Sequence, residues 1–246
     1  IGGAAQYRKS SFLLDAVGES VFPDVVQLNE DPFIPQALGS ANCDSEGVAT
    51  QANQLVTDGV IQHYLLDSYS ARKLGLTSTG HASGLHNLIL DDTGKSFDEC
   101  LAAMHRGFLV TELMGHGVNG VTGDYSRGAA GFWVENGKLD RAVEEVTIAS
   151  NLKAKFKGIV EIGNDLDFRG NIRCGTIIID NLMSAGSDKH ADTVTLDFFT
   201  AVGTSCLTCR GAGREENASI CIQCVREFFA ATRCGSVSFR GSASCV

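Results

Sequence analysis

The chain has 246 residues, of which 43% are hydrophobic and 20% charged, so it has ample material for a packed core and is not a disordered chain. No apolar run approaches the roughly 18 residues that a membrane helix needs, so we expect no membrane span. The net charge of −9 disfavours a nucleic-acid-binding surface, because neutralising phosphates requires clustered cations. The chain begins Ile-Gly-Gly rather than with Met, and we expect it to be a fragment of a longer protein.

The first third of the chain predicts extended structure with one hairpin. Residues 10–18 form a short helix or an apolar anchor, and all three prolines lie within the extended stretch 21–35. Residues 55–66 place two apolar arms around Asp58 and Gly59, which is a strong signal for a type I′ β-hairpin.

Two short helices and a second hairpin follow. The first helix is predicted over 68–75, and the second over 96–107, where Ser96 and Glu99 form a capping box and Gly107 ends the helix. Last come a hairpin over 132–148 turning at Asn136-Gly137, a helix over 151–158, and buried strands over 159–163 and 176–180. The predicted fold class is therefore α+β: mostly antiparallel β with a few short helices.

The most unusual stretch is the glycine-rich connection within residues 111–139. The glycines that flank His116 allow another backbone to approach closely. Asp124, Tyr125, Ser126 and Arg127 then offer a carboxylate, a phenol, a hydroxyl and a guanidinium, which we expect to share one short turn facing a substrate or a partner. The alternative is a structural turn that an Asp124–Arg127 pair holds together.

The motifs of a hydrolytic centre are missing from this sequence. No His-Glu dipeptide occurs, so neither an HExxH nor an HExxxH zinc helix is present, and there is no G-x-S-x-G nucleophile motif. His81 and His86 lie five residues apart in a predicted loop, where loop polarity is a better interpretation than a metal site.

The last 59 residues differ in composition from the rest. Residues 1–187 contain three cysteines, whereas 188–246 contain six, together with six basic and six acidic residues. The spacing of Cys206, Cys209, Cys221 and Cys224, as CLTC and CIQC, is typical of a four-cysteine zinc site. The alternative is a frameshifted or chimeric tail that is not native, so we divide the chain into a domain over 1–187 and a cysteine-rich tail over 188–246.

Several long blocks of residues 1–187 resemble the C-terminal region of the TldD/PmbA family, in its PmbA branch, which is also called TldE. They are YRKSSFLLD (7–15), DSEGV (44–48), SYSARKLGLTSTGHA (68–82), VTELMGHGVNGVTGDYSRGAAGFWVENGKL (110–139), EEVTIASNL (144–152), GNDLDFRGNIRCG (163–175) and MSAGS (183–187).

The resemblance implies a role in a cytoplasmic metallopeptidase complex that pairs a TldD-type with a PmbA-type subunit. The family is linked to peptide antibiotic maturation, to antitoxin degradation and, by older naming, to modulation of DNA gyrase. Its TldD branch carries zinc on an HExxxH helix with a later cysteine ligand, a position that Cys174 resembles here. Without paired histidines we favour a buried structural cysteine, and we expect no cofactor in 1–187.

The predicted function is therefore that of a PmbA-type subunit that lacks the catalytic metal motif and serves proteolysis of small or unfolded peptides. A TldD-type partner would hold the zinc, and the assembly would be a heterodimer or larger. The alternative is a non-catalytic binding module with a four-cysteine zinc site in the tail.

Metal content separates these two interpretations. A native four-cysteine site predicts stoichiometric zinc in the purified chain, which Cys206→Ser together with Cys209→Ser should remove, because thiolates provide the ligands. Atomic emission of the dialysed protein measures this. A chain that is free of zinc before substitution would exclude the binding-module alternative.

Overall fold

The computed structural model describes residues 1–180, 182–186, 194–196 and 198–201. Its helices are α1 (Gly3–Tyr7), α2 (Ser68–Leu74), α3 (Phe97–Ala103) and α4 (Leu152–Lys157). Its strands are β1 (Leu28–Glu30), β2 (Asn53–Thr57), β3 (Val60–Ile61), β4 (Leu88–Leu90), β5 (Arg106–Met114), β6 (Asp124–Glu135), β7 (Lys138–Asn151), β8 (Ile159–Ile162), β9 (Ile172–Arg173), β10 (Ile177–Ile179), β11 (Leu182–Gly186), β12 (Val194–Leu196) and β13 (Phe198–Ala201). Among these residues no helix has the length and apolarity needed to cross a membrane.

The strands form two sheets. The first has the order β3-β2-β1-β4-β9, and the second has the order β12-β11-β7-β6-β5-β13-β10-β8. Every neighbouring pair is antiparallel except β4 with β9 and β5 with β13. The predicted α+β class with mostly antiparallel strands is confirmed. Strands β12 and β13 lie beyond residue 187, so part of the predicted tail pairs with the second sheet, while the domain boundary itself stays a prediction.

Both predicted hairpins are present. Asp58 and Gly59 have φ of 48° and 73° and join β2 to β3, and Asn136 and Gly137 have φ of 51° and 70° and join β6 to β7. Two consecutive positive φ values define the type I′ turn, whose twist matches that of the flanking strands. The second hairpin is far the longer, since β6 and β7 pair from Glu135 back to Asp124.

The predicted start of the second helix is confirmed, but its predicted end is wrong. Ser96 and Glu99 form the expected capping box of α3, but the helix stops at Ala103 rather than at Gly107. His105, with φ of 37°, turns the chain, and its carbonyl oxygen accepts a hydrogen bond from Gly137 N–H at 2.9 Å. Gly107 therefore belongs to β5, because pairing with β6 replaces the last helical turn.

One buried apolar cluster extends across both sheets. The rings of Phe12 and Phe22 pack on Phe156 of α4, with centroids 6.2 and 5.0 Å away. Residues 10–18 contain no helix, so of the two predictions for that stretch the apolar anchor is the correct one. The Phe12 N–H donates to the carbonyl oxygen of Gly120 at 2.9 Å, which ties this anchor to the loop between β5 and β6.

Asp44 joins two loops beside the first sheet. Its Oδ1 accepts the N–H groups of Glu46 and Val48 at 2.9 Å each, and its Oδ2 accepts the N–H of Ala82 at 3.0 Å. Burial alone would raise the pKa of Asp44, but these hydrogen bonds, helped by the nearby His81, outweigh it and hold the pKa below its usual 3.8.

We expect Asp44→Asn to lower the free energy of unfolding at neutral pH by about 1–3 kcal/mol, since an amide nitrogen would face a backbone donor. Because the pKa is depressed in the folded state, the carboxylate stabilises the fold fully above its unfolded pKa and loses that effect as the pH falls through the folded value. The deficit of the variant, measured by urea unfolding from pH 7 to pH 2, should therefore shrink below about pH 4. The exposed Asp24→Asn is the control, and a deficit independent of pH would contradict this assignment.

Candidate functional site

The glycine-rich loop 115–123 folds back on the first residues of β6. Ser126 N–H donates to the carbonyl oxygen of Gly117 at 2.7 Å, and Asn119 N–H donates to that of Asp124 at 2.8 Å. Val118 and Tyr125 form an isolated antiparallel bridge. The loop thus adds a short third segment beside the β6–β7 hairpin instead of extending into solvent.

Glycine is required at one position of this loop for a steric reason. A Cβ atom at Gly117 would overlap the carbonyl oxygen of Ser126, which is backbone and cannot move aside. Any side chain at position 117 would therefore push the loop away from β6.

The loop and the start of β6 line a wide-open, shallow cavity of about 480 Å³. It is lined by His116, Gly117, Val118, Asn119, Gly120, Asp124, Tyr125 and Ser126. The structure therefore brings together four of the five residues that the sequence analysis selected for a substrate- or partner-facing role.

The structure does not contain the expected single turn of Asp124, Tyr125, Ser126 and Arg127. These residues begin strand β6, where side chains alternate between the two faces of the sheet. Asp124 and Ser126 are exposed, whereas Tyr125 and Arg127 are buried, at 2% and 7% exposure. The strand starts this early because Asp124 pairs across the ladder with Asn151, at the end of β7.

The Asp124 carboxylate is held in place by two residues that the sequence analysis did not select. Thr122 Oγ1 donates to its Oδ2 at 2.6 Å, and Asn151 Nδ2 lies 3.4 Å from its Oδ1. Asn151 also caps α4, where its Oδ1 accepts the N–H of Lys153 at 3.1 Å. The sequence signal that could have identified Asn151 was the predicted helix start at residue 151. A helix-capping side chain has a fixed orientation, because it is hydrogen-bonded to the first turn of the helix.

A buried lysine supports the site from beneath. Lys155, on α4, is 2% exposed, and its Nζ lies 3.8 Å from the centroid of the Tyr125 ring. A cation over an aromatic face is stabilised most where water is excluded. No sequence signal marks Lys155, since lysines in the last turn of a helix normally reach solvent.

The histidines of the 81–86 loop are structural in this fold. His81 Nε2 lies 2.6 Å from Glu30 Oε2, and its Nδ1 lies 2.8 Å from the hydroxyl of Thr79. Both ring nitrogens of His86 lie 3.2 Å from backbone carbonyl oxygens, those of Gly39 and Gly80. Each ring nitrogen is thus engaged within the protein, in agreement with loop polarity rather than metal binding.

Zinc does not fit the described residues. No group of three or more His, Cys, Asp or Glu side chains within them is placed to hold a metal ion. Cys174 is fully buried next to β9, as expected for a structural cysteine. The other candidate ligands, Cys206, Cys209, Cys221 and Cys224, lie outside the described residues.

Cys100 cannot serve as a nucleophile in this fold. Burial in α3, together with the nearby carboxylates of Asp165 and Glu161, raises the pKa of its thiol to about 11. The thiol stays protonated at neutral pH, and it is the thiolate that reacts.

Sequence and fold together place this chain in a known family. The family model described as the PmbA/TldA metallopeptidase C-terminal domain matches residues 1–186. The chain is 50% identical over 186 residues to Metalloprotease PmbA of Escherichia coli O157:H7, covering 76% of this chain and 41% of that protein. It is 27% identical over 152 residues to a Metalloprotease TldD homolog of Haemophilus influenzae, covering 57% of this chain and 32% of that protein. The chain belongs to the PmbA/TldD family.

Solved structures agree with this assignment. A protein described as a modulator of DNA gyrase from Bacteroides thetaiotaomicron matches with a TM-score of 0.72 and 33% identity, over 75% of this chain and 42% of that one. TldE from Thermococcus kodakarensis matches with a TM-score of 0.68 and 26% identity, over 75% of this chain and 45% of that one. The chain spans about two fifths of the length of the curated PmbA relatives that it matches.

The burial of Arg127 leads to a stability prediction. We expect Arg127→Ala to lower the free energy of unfolding by about 1–3 kcal/mol, because it removes a long side chain from the packed face of β6. Ser126→Ala, one residue away on the exposed face, should stay within about 0.5 kcal/mol of the original chain. Urea unfolding measures both, and equal stability of the two variants would show that the Arg127 side chain contributes no packing.

Proposed function

We propose that this chain acts as the PmbA-type part of a metallopeptidase assembly, in which a TldD-type subunit holds the zinc and hydrolyses the peptide bond. In this proposal the cavity between loop 115–123 and β6 faces the peptide or that subunit. The observation that carries the proposal is this cavity, whose wall is glycine backbone on one side and an oriented carboxylate on the other.

The glycine wall suits an extended polypeptide. Gly117 and Gly120 line the cavity without side chains, which leaves room for a polypeptide to approach. Their carbonyl oxygens already accept hydrogen bonds from Ser126 and Phe12, so main-chain hydrogen bonds to that polypeptide would come from other backbone groups of the loop. Main-chain hydrogen bonds bind extended peptides with little dependence on sequence. This property fits a substrate class of small or unfolded polypeptides, including the peptide antibiotics and antitoxins to which the family is linked.

The polar groups of the cavity complement a peptide. The Asp124 carboxylate accepts hydrogen bonds and attracts a cationic amino group, and Thr122 and Asn151 limit its rotation. The exposed Ser126 hydroxyl and His116 imidazole provide further donors or acceptors. A carboxylate that is already oriented loses little conformational freedom on binding.

Identity supports assignment to the PmbA branch. The chain matches the PmbA relative at 50% and the TldD homolog at 27%. If a TldD-type partner holds the zinc, the metal would supply Lewis-acid activation in that subunit, and this chain would bind and orient the peptide. A cytoplasmic assembly is part of the same proposal.

The test is a peptidase assay of the chain mixed with a TldD-type subunit. We expect cleavage of an unfolded casein substrate by the mixture, abolished by a chelator, and none by this chain alone. Asp124→Asn keeps the size of the side chain but removes its charge, and should lower kcat/KM of the mixture about tenfold, the equivalent of one hydrogen bond to a charged group.

Asp140→Asn is the matched control, because Asp140 is exposed on β7 at the opposite end of the hairpin. It should leave kcat/KM unchanged, and both variants should keep the melting temperature of the original chain. Unchanged kcat/KM in Asp124→Asn would overturn the role of the cavity. Chelator-sensitive cleavage by the pure chain would overturn the assignment of catalysis to the partner.

A further inference from the structure

The loop segment that pairs with β6 has two backbone edges. The carbonyl oxygen of Gly117 accepts the N–H of Ser126 at 2.7 Å, and the N–H of Asn119 donates to the carbonyl oxygen of Asp124 at 2.8 Å, so these groups of Gly117 and Asn119 point toward β6. Backbone groups of successive residues in an extended segment point to opposite edges. The N–H and the C=O of Val118, which lies between them, therefore point away from β6.

The position of Val118 is fixed from two directions. Its side chain packs against the buried apolar cluster, and the residue forms a bridge with Tyr125, which is 2% exposed. Beside it, the lack of a side chain at Gly117 lets the loop lie directly against the carbonyl oxygen of Ser126. The outward groups of Val118 are therefore already oriented, and a ligand would not have to order them.

These outward groups are not used within the protein. In the part of the chain that the structure describes, neither the N–H nor the C=O of Val118 takes part in a hydrogen bond. The carbonyl oxygens of the next two residues are engaged, that of Asn119 by the N–H of Gly123 at 2.8 Å and that of Gly120 by the N–H of Phe12 at 2.9 Å. Val118 also lines the open cavity, so a polypeptide can reach it.

We propose that the outward edge of Val118 is the place where an extended peptide pairs with this chain as an additional β-strand, with one peptide N–H and one peptide C=O bonded to Val118. This inference rests on the proposed function, in which the cavity faces the peptide. A free donor and acceptor on one edge residue are what an added strand requires. Proline is excluded from the peptide residue that donates to Val118, whereas side-chain identity there matters little.

N-methylated peptides test the proposal on the unaltered chain. The probe is a fluorescein-labelled synthetic peptide of alternating threonine and alanine, and fluorescence anisotropy measures its Kd. Methylating every second amide blocks the donors on one edge of the peptide, so Kd should rise by no more than about twofold, since the other edge remains. Methylating every amide blocks both edges and should raise Kd at least about tenfold, the equivalent of losing one to two hydrogen bonds.

Variants of Val118 test the same pairing from the side of the protein. Val118→Pro removes the outward N–H and should raise Kd of the unmodified peptide about tenfold. Val118→Ile keeps the backbone groups and a branched side chain, and as the matched control it should leave Kd unchanged. Thermal melting establishes that both variants are folded, and if Val118→Pro is not, the methylated peptides decide on the original chain.

Three results overturn the proposal: no saturable binding of the unmodified peptide, equal binding of the fully methylated peptide, or unchanged binding by a folded Val118→Pro chain. The proposed function is judged separately, by chelator-sensitive cleavage of casein in the mixture with a TldD-type subunit. If that cleavage occurs while any of the three results is found, the peptide is bound elsewhere in the assembly, and the role of Val118 alone is wrong.

Discussion

The backbone ladder between β6 and β7 is the interaction on which the rest of the structure depends. The Asn136-Gly137 turn starts its register, and two irregularities, between Trp133 and Val134 and between Ala129 and Gly131, shift it so that Asp124 pairs with Asn151 at the far end. That register decides which face each side chain of β6 takes, and hence which residues reach the cavity. On its other edge β6 pairs with β5, where Arg106 lies opposite Glu135.

A consequence of this ladder is that one short stretch contributes both to the packed layer and to the cavity that we propose faces the peptide or the partner. Asp124 and Ser126 face the cavity, and the intervening Tyr125 and the following Arg127 pack beneath. Side chains alternate between the two faces of a strand, so the cavity-facing residues are separated from the packed ones. Residue type alone would have placed all four residues in a single polar cluster. Lys155, below Tyr125, then joins α4 to the same layer, so the start of β6 is packed from beneath.

The sequence predicted best where the signal was local. Both type I′ turns, the capping box at Ser96 and Glu99, and the glycine after α2 were predictable, because each depends on residues within one turn. The end of α3 was not, since pairing between distant strands overrode its glycine signal. For the cavity, the loop and four lining residues were predicted, but Lys155 reaches Tyr125 through a tertiary contact that no spacing pattern reveals. The contact of Thr122 with Asp124 is local, and the sequence analysis did not select it.

The two sheets are interleaved along the chain rather than built one after the other. The first sheet takes its strands from residues 28–90 and its last strand, β9, from 172–173, after most of the second sheet has been passed. The hydrogen bond from Leu88 N–H to the carbonyl oxygen of Asn171 therefore cannot form until Asn171 has been made. During synthesis, the first sheet cannot be completed before Arg173 has been made, and the second cannot take its β13 strand before Ala201 has been made. Such long-range pairing slows folding, because the entropy of closing the long intervening loop is lost before the distant strands can pair.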